Sequence, residues 1–488
     1  MVRRLLRVAG ITLAALIGIA LVLYVAGLRI VLDGGGQPYL AFVRSERAQA
    51  DQVARHRESQ RTHAEPAAVP AEASNPQAVP APPAGVELGA ADPAATSSGN
   101  VPYWTDFRGP RRDGHYDERP ILTAWPAAGL KPIWKQPIGA GYASFVVAGG
   151  RAFTIEQRGG NEVAAAYDVA TGRELWTSAW AAAFREFMGG DGPRATPTWH
   201  DGLVYVLGGE GEFRCLDAAT GRLVWRTNIL ADAGANNLQW GMAASPLVVD
   251  NTVVVLPGGP NGQSIVAYDR KSGKRVWGAL DDQQSYSSPM LVTLGGVRQL
   301  LVFSATRLMG LTPERGEVLW EHPWKTQADI NASQPLVVGP NRVFISTGYG
   351  VGATVLELTP AGDRFSVREV WRNIRMKNQF TSSVLHNGFV YGLDESILAC
   401  VDVATGELKW KGGRYGYGQV ALASDHLIVL TEGGDLALVK ATPDRHQEIV
   451  RFSVLDGKTW SHPAFSGGYL LIRNIGEMAA FDLRLPVR

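Results

Sequence analysis

The sequence predicts an all-β fold: an eight-bladed β-propeller with a composite N-/C-terminal closing blade, preceded by one N-terminal transmembrane helix and a disordered Ala/Pro-rich linker. Three observations predict it. A strand–turn–strand unit, AYDVATGRELW at residues 166–176, returns as CLDAATGRLVW, AYDRKSGKRVW, GLTPERGEVLW and CVDVATGELKW. A closing aromatic recurs at Trp134, Trp176, Trp225, Trp277, Trp320, Trp371, Trp410 and Phe452, at spacings from 39 residues (371 to 410) to 52 (225 to 277), which is the length of a four-stranded blade. The two ends of the repeat region are also incomplete in complementary ways. KPIWKQP around Trp134 has an outer strand with no inner strands before it, and MAAFDLRLPVR has an inner strand with no outer strand after it.

Each unit opens with alternating apolar residues suited to an inner strand. An Asp or Pro then starts a turn, and a Gly four residues before the Trp supplies the positive φ the turn needs. One hairpin buries too little surface to stand alone, so the units must stack, with the Trp between neighbours. Pairing the orphan strand at Trp134 with the orphan hairpin at Phe481 closes the ring and removes an exposed edge.

Ahead of the repeats, residues 8–28 are uncharged, about the 20 residues a bilayer core requires. Arg3, Arg4 and Arg7 precede them, so the positive-inside rule leaves the N-terminus in the cytoplasm. Residues 1–32 are read as a signal anchor in the cell (inner) membrane, single-pass, with the propeller on the periplasmic, extracytoplasmic side; a cleaved signal peptide is the competing reading, against which stand the length of the apolar run and the poor small-residue site around Ala26 and Gly27. Residues 33–100 are read as a stalk and tether. Residues 37–63 are charged and helix-compatible, and the Ala- and Pro-dominated stretch 64–100 cannot bury a core. The propeller occupies 101–488, with Trp104, Phe107 and the following RGPRRDG packing over one end of it as an extension.

Composition excludes one partner class. Lys and Arg number 47 against 46 Asp and Glu, for a net charge of +1, and no segment interleaves basic with aromatic residues as a nucleic-acid surface does. The nine His are scattered with no H-E-x-x-H, and there is no Cys-Cys spacing for zinc. MGGDGPRAT and LPGGPNGQS are blade-connecting loops, since neither ends in G-K-[ST]. Asp281 and Asp282 are read as a solvated pair.

The order of a Ser-Pro or Thr-Pro inner strand, a V-x-V second strand, an A-x-D third strand, ATG-[RK] and a closing Trp is seen in TPTWHDGLVYVLGGEGEFRCLDAATGRLVW and SPLVVDNTVVVLPGGPNGQSIVAYDRKSGKRVW. It resembles the pyrroloquinoline-quinone (PQQ) repeat of the quinoprotein-like eight-bladed propellers, over residues 101–488. That resemblance implies the fold and leaves two activities, because quinoprotein dehydrogenases and non-catalytic, BamB-like assembly lipoproteins share the repeat. The dehydrogenases imply adjacent cysteines in a disulfide over the cofactor, a bound Ca²⁺ and an Asp base. Here the two cysteines, Cys215 and Cys400, fall on blades two and six, across the ring, too far apart for the roughly 7 Å a disulfide allows. The chain is therefore placed in the BamB-like branch, with no cofactor. A PQQ- or quinone-dependent oxidoreductase, with PQQ and Ca²⁺ at the central channel mouth, is the alternative.

Candidate binding residues come from the register of the inner strands. Tyr142, Arg194, Tyr286, Thr381, Tyr417 and Trp460 each stand three residues ahead of the strand's Pro or its substitute, and so form a ring at the channel mouth. Asp191, Trp240, Asn331, Lys377 and Asn378 lie in the same loops. An aromatic ring with one Arg is what recognition surfaces favour. The competing reading makes the ring inter-blade packing and pairs Arg194 with Asp191. The function expected is a binding or scaffold module for a protein or cell-envelope partner.

Overall fold

The computed structural model describes residues 17–62 and 103–486. Among the described residues eight antiparallel blades of four strands each form the ring, blade 7 gaining a fifth, parallel strand from the extension. Blade 1 runs Val146–Ala148, Arg151–Arg158, Asn161–Asp168, Glu174–Ala181 from channel to rim. Blades 2 to 7 begin at the inner strands Thr198–His200, Leu247–Val249, Met290–Leu294, Leu336–Gly339, Val384–His386 and Gln419–Ala423. Blade 8 is composite, as the orphan strands require: Ala464–Ser466, Tyr469–Arg473 and Glu477–Asp482 are completed by the N-terminal strand Trp134–Pro137, with Trp134 opposite Ala480.

The repeated unit explains the stacking. Directly opposite the closing Trp, on the third strand, sits a small residue in most blades: Ala166 faces Trp176, Cys215 faces Trp225, Ala267 faces Trp277, Gly310 faces Trp320 and Cys400 faces Trp410. The two cysteines are thus buried wedges under tryptophans, free, in blades 2 and 6, with thiols pushed up to about 12 by burial. Five of the indoles bond into the next blade. Nε1 of Trp134, Trp176, Trp225, Trp371 and Trp410 donates to Val169, Ala218, Arg270, Val403 and Thr442 carbonyls at 2.8–3.0 Å. Trp320 instead donates to Gln299 of its own blade at 2.5 Å, where blade 5 carries the longer hairpin Gly352–Ala361 and Arg364–Asn373. The turn glycine does two things at once. Gly221 has φ 73, and a Cβ there would strike the Trp176 ring of the preceding blade, so both the turn and the close approach demand glycine.

A second belt binds the blades at their channel ends. Ser144 N donates to Thr196 Oγ1, Ser245 N to Ser288 Oγ, Ser288 N to Gln334 Oε1 and Gln334 N to Ser382 Oγ, at 2.6–3.0 Å. The small polar residues beside the inner-strand prolines satisfy main-chain donors of the neighbouring blade, which is why burial there carries little cost.

Two chain segments depart from expectation. The extension 103–116 lies inside the channel, not over its end. It rises beside the inner strands of blades 1 and 2, where Trp104 and Thr105 carbonyls accept from Val147 and Trp199 N–H groups. It then turns and descends as His115–Tyr116, parallel to Gln419–Ala423 of blade 7. At the turn Arg112, buried, donates to Ser245, Pro246 and Pro289 carbonyls of blades 3 and 4 and pairs with Asp106 at 2.9 Å. Arg108, also buried, donates to the Ser383 carbonyl at 2.8 Å, and its Nε lies 3.2 Å from Nε2 of His462.

The segment read as a stalk is the second departure. Residues 17–25 are helical, and the chain becomes strand at Leu28. Residues 1–16, with the first part of the expected span, lie outside the described residues, as does the Ala/Pro-rich tether. Among the described residues no helix is long and apolar enough to cross a membrane. Strands β1 (Leu28–Leu32) and β2 (Pro38–Phe42) then form a hairpin, and helix α1 (Glu46–Thr62) lies against the closing blade. Val53 of α1 is fully buried, and Arg57 donates to the Pro137 carbonyl at 2.9 Å and pairs with Glu174 at 3.4 Å. Beneath it, burial would push the Glu156 carboxyl up, but Arg158, Arg473 and Arg57 overcome this and hold it at about 2. The stalk helix exists; it is docked, because its arginine enters a charge network already in place at the seam.

Candidate functional site

A cavity of about 420 Å³ occupies the channel mouth. Its wall is built by the residues three ahead of the inner-strand prolines. Tyr142, Arg194, Tyr286 and Trp460 line it as the register requires, with Ala243 and Ala332 at the same position in blades 3 and 5, and Trp240 joins them. The rings meet in a run: Tyr142 to Trp460 at 5.0 Å, Trp460 to Phe380 at 4.5 Å, Phe380 to Tyr417 at 5.6 Å, and Trp240 to Tyr286 at 5.8 Å. Phe107, carried up the channel by the inserted segment, is the floor, its ring 6.0 Å from that of His462. The His462 imidazole is pushed down to about 3 by burial and by Arg108. It is therefore neutral, with Nδ1 2.8 Å from the Pro463 carbonyl and Nε2 free to accept from Arg108.

Other candidates serve the frame. Asn331 and Asn378 are buried outside the cavity: Asn331 Nδ2 donates to the Ser304 carbonyl and Asn378 Nδ2 to that of Leu393, at 2.8 and 3.0 Å. Thr381 is buried, and Lys377 pairs with Asp394 at 3.5 Å and Glu395 at 3.1 Å. Asp191 accepts from the Glu186 N–H at 3.2 Å and is not the partner of Arg194. Arg194 donates to Gly190 and Gly192 carbonyls, lies 3.8 Å from Glu186 and stacks over Phe184. Burial pushes its guanidinium down. Asp282 is likewise no solvated carboxylate, being buried and bound by Ser304, Thr306 and Arg307.

The mouth is not open. The hairpin tip 33–36 reaches into it and forms part of its wall. Gly34 N–H donates to Glu432 Oε1 at 2.6 Å, and its carbonyl accepts from Gln379 Nε2 at 2.8 Å. Glu432 is itself held in place by Trp460 Nε1 at 3.0 Å and the Tyr417 N–H at 3.1 Å. Tyr417 therefore acts on the hairpin. The sequence reading missed Glu432, Gln379 and Phe380. Nothing in the repeat marks them, although the DGGG run was a signal that a backbone must approach something closely.

Among the described residues no three His, Cys, Asp or Glu cluster where they could hold a metal ion.

The architecture defines the class as an eight-bladed quinoprotein-like propeller. Residues 159–412 match the family described as outer membrane protein assembly factor BamB, and the chain belongs to that family. Comparison with curated proteins found no match. Among solved structures the chain is similar to BamB from Moraxella catarrhalis, at 15% identity and TM-score 0.52, over 74% of this chain and 100% of that one. It is also similar to quinohemoprotein alcohol dehydrogenase from Comamonas testosteroni, at 13% identity and TM-score 0.55, over 80% and 82%. A europium-containing methanol dehydrogenase aligns at 12% identity and TM-score 0.57, over 78% and 98%. At such identities the likeness is one of fold.

Proposed function

We propose that this chain is a membrane-anchored recognition module on the extracytoplasmic side of the inner membrane, binding protein partners through the propeller mouth. The observation that carries the reading is the aromatic cup itself: it is floored by Phe107 and already grips a piece of polypeptide main chain. Membership of a family described by an assembly factor supports a protein partner, and the uncharged run 8–28 behind three arginines supports the anchor.

Two experiments test it. PQQ with Ca²⁺ should neither raise the melting temperature of the purified chain nor support dye reduction with simple alcohols, whereas a ligand specific to the folded state raises it by mass action. A saturable PQQ-dependent rise, lost when Tyr142, Tyr286 and Trp460 are replaced together by Ala, would replace this reading with an oxidoreductase. Protease added to spheroplasts should cut within 63–102, leaving an intact propeller fragment on a denaturing gel; an uncut chain contradicts the topology.

A further inference from the structure

We infer that the propeller mouth is a receptor for glycine-containing β-turns, and that the chain's own hairpin tip is a resident occupant which a partner's hairpin displaces. The inference rests on the recognition reading and names its ligand class.

The contacts read main chain. Glu432 takes the N–H of Gly34 and Gln379 its C=O, so both hydrogen bonds go to groups every peptide unit carries. The charged acceptor makes the first of them strong. Selectivity comes from exclusion. A Cβ on Gly34 would fall inside van der Waals distance of Tyr417 and Phe380, and one on Gly35 inside that of the Tyr417 hydroxyl. The pocket thus admits consecutive glycines and no side chain. The turn is preorganised for delivery: Asp33 Oδ1 accepts from Gly35 and Gln37 N–H at 2.9 and 2.7 Å, and Gly36 has φ 78.

The resident is built to leave. Among the described strands β1 and β2 pair only with each other, and a lone two-stranded hairpin is marginal in water. Ile30, Leu40 and Phe42 remain 63, 66 and 72% exposed, so the strands add little to hold the tip down. Helix α1, docked nearby at Gln49, Arg57 and Glu46, keeps a released hairpin close by. An intramolecular occupant lowers the apparent affinity of any competitor by the fraction of time the mouth is filled, so only a partner presenting a fitting turn at high local concentration gains entry.

The test uses the full chain and a labelled probe peptide, residues 28–42 closed into a hairpin by a terminal disulfide. In Gly34→Leu the resident tip no longer fits. Hydrogen exchange should then show residues 28–42 released at an unchanged melting temperature, and the probe should bind at least tenfold tighter than to the native chain. Adding Glu432→Gln to that variant should remove the gain, and a probe with Ala at both tip glycines should not bind. The proposal is overturned if Gly34→Leu leaves the hairpin seated, if the released mouth ignores the probe, or if the Ala probe binds as well as the Gly probe. Gly35→Leu, whose Cβ would meet the Tyr417 hydroxyl, provides a second release route that leaves Glu432 and Gln379 intact should Gly34→Leu misfold. Loss of the probe result with PQQ still inert leaves the recognition reading standing with a different ligand; PQQ binding removes both.

Discussion

Two segments of the same chain enter the propeller channel from its two ends, and they are held by opposite means. The segment 103–116 enters with side chains. Arg112 and Arg108 are buried and hydrogen-bond to carbonyls of blades 3, 4 and 6, and Trp104 is fully buried against Phe465. The tip 33–36 enters with bare backbone: one N–H, one C=O and no side chain packed below it. Removing the first leaves carbonyls of blades 3, 4 and 6 without partners, while removing the second leaves Glu432 to water. The first is a floor and the second a lid, and the difference lies in which partners are left unsatisfied.

The comparison breaks most visibly at Arg112. Arg112→Met deletes its bonds to the Thr198 hydroxyl of blade 2 and to carbonyls of blades 3 and 4, leaves the part-buried Asp106 unpaired, and should destabilise the whole ring by about 3 kcal/mol, read as a lower melting temperature in a single transition. A drop no larger than that of a surface variant would mean the floor is not structural. Next comes Glu162, in the wall that carries the mouth loop, where it accepts from Gly209 N–H at 2.7 Å and Trp180 Nε1 at 3.0 Å. Burial pushes its carboxyl up to about 7, against 4.5 ordinarily. The folded protein therefore holds this proton more tightly than the unfolded chain. Its stabilising contribution is complete below pH 4.5 and is lost as pH rises through about 7. Melting temperature should accordingly fall between about pH 5 and 8, and Glu162→Gln should flatten that part of the profile; an unchanged slope would place the titration elsewhere. The smallest effect belongs to the lid. Glu432→Gln weakens a charge-assisted bond at a half-buried turn and should shift global stability by less than about 1 kcal/mol, while trypsin and hydrogen exchange report a freer 28–42. A large loss of global stability would make the lid part of the frame.

The blades were legible because their signal is periodic. Trp, turn Gly and the small residue opposite the Trp recur at fixed offsets, and each recurrence has a packing reason that a one-dimensional pattern preserves. The composite blade followed from the same logic at Trp134 and Phe481. At the mouth the register placed Tyr142, Arg194, Tyr286 and Trp460 in the wall, but nearness in the loops was a poor guide for Asn331 and Asn378, which turn inward to cap main-chain carbonyls. Both channel insertions were illegible for a common reason: they depend on contacts between residues far apart in sequence, such as Gly34 with Glu432 and Arg108 with Ser383. Arg108 and Arg112, in a run expected to pack over one end of the propeller, are instead buried in the channel, where they donate to blade carbonyls.

Hydrogen–deuterium exchange on the native full chain tests the distinction between floor and lid most directly, since local and global opening separate by their protection. The account predicts that Gly114, whose N–H donates to the Arg108 carbonyl, and Val147 and Trp199, whose N–H groups donate to Trp104 and Thr105 carbonyls, exchange only with global unfolding. The amides of Gly34 to Gln37 should exchange orders of magnitude faster, and faster again in Glu432→Gln. Equal protection of the two segments would contradict it.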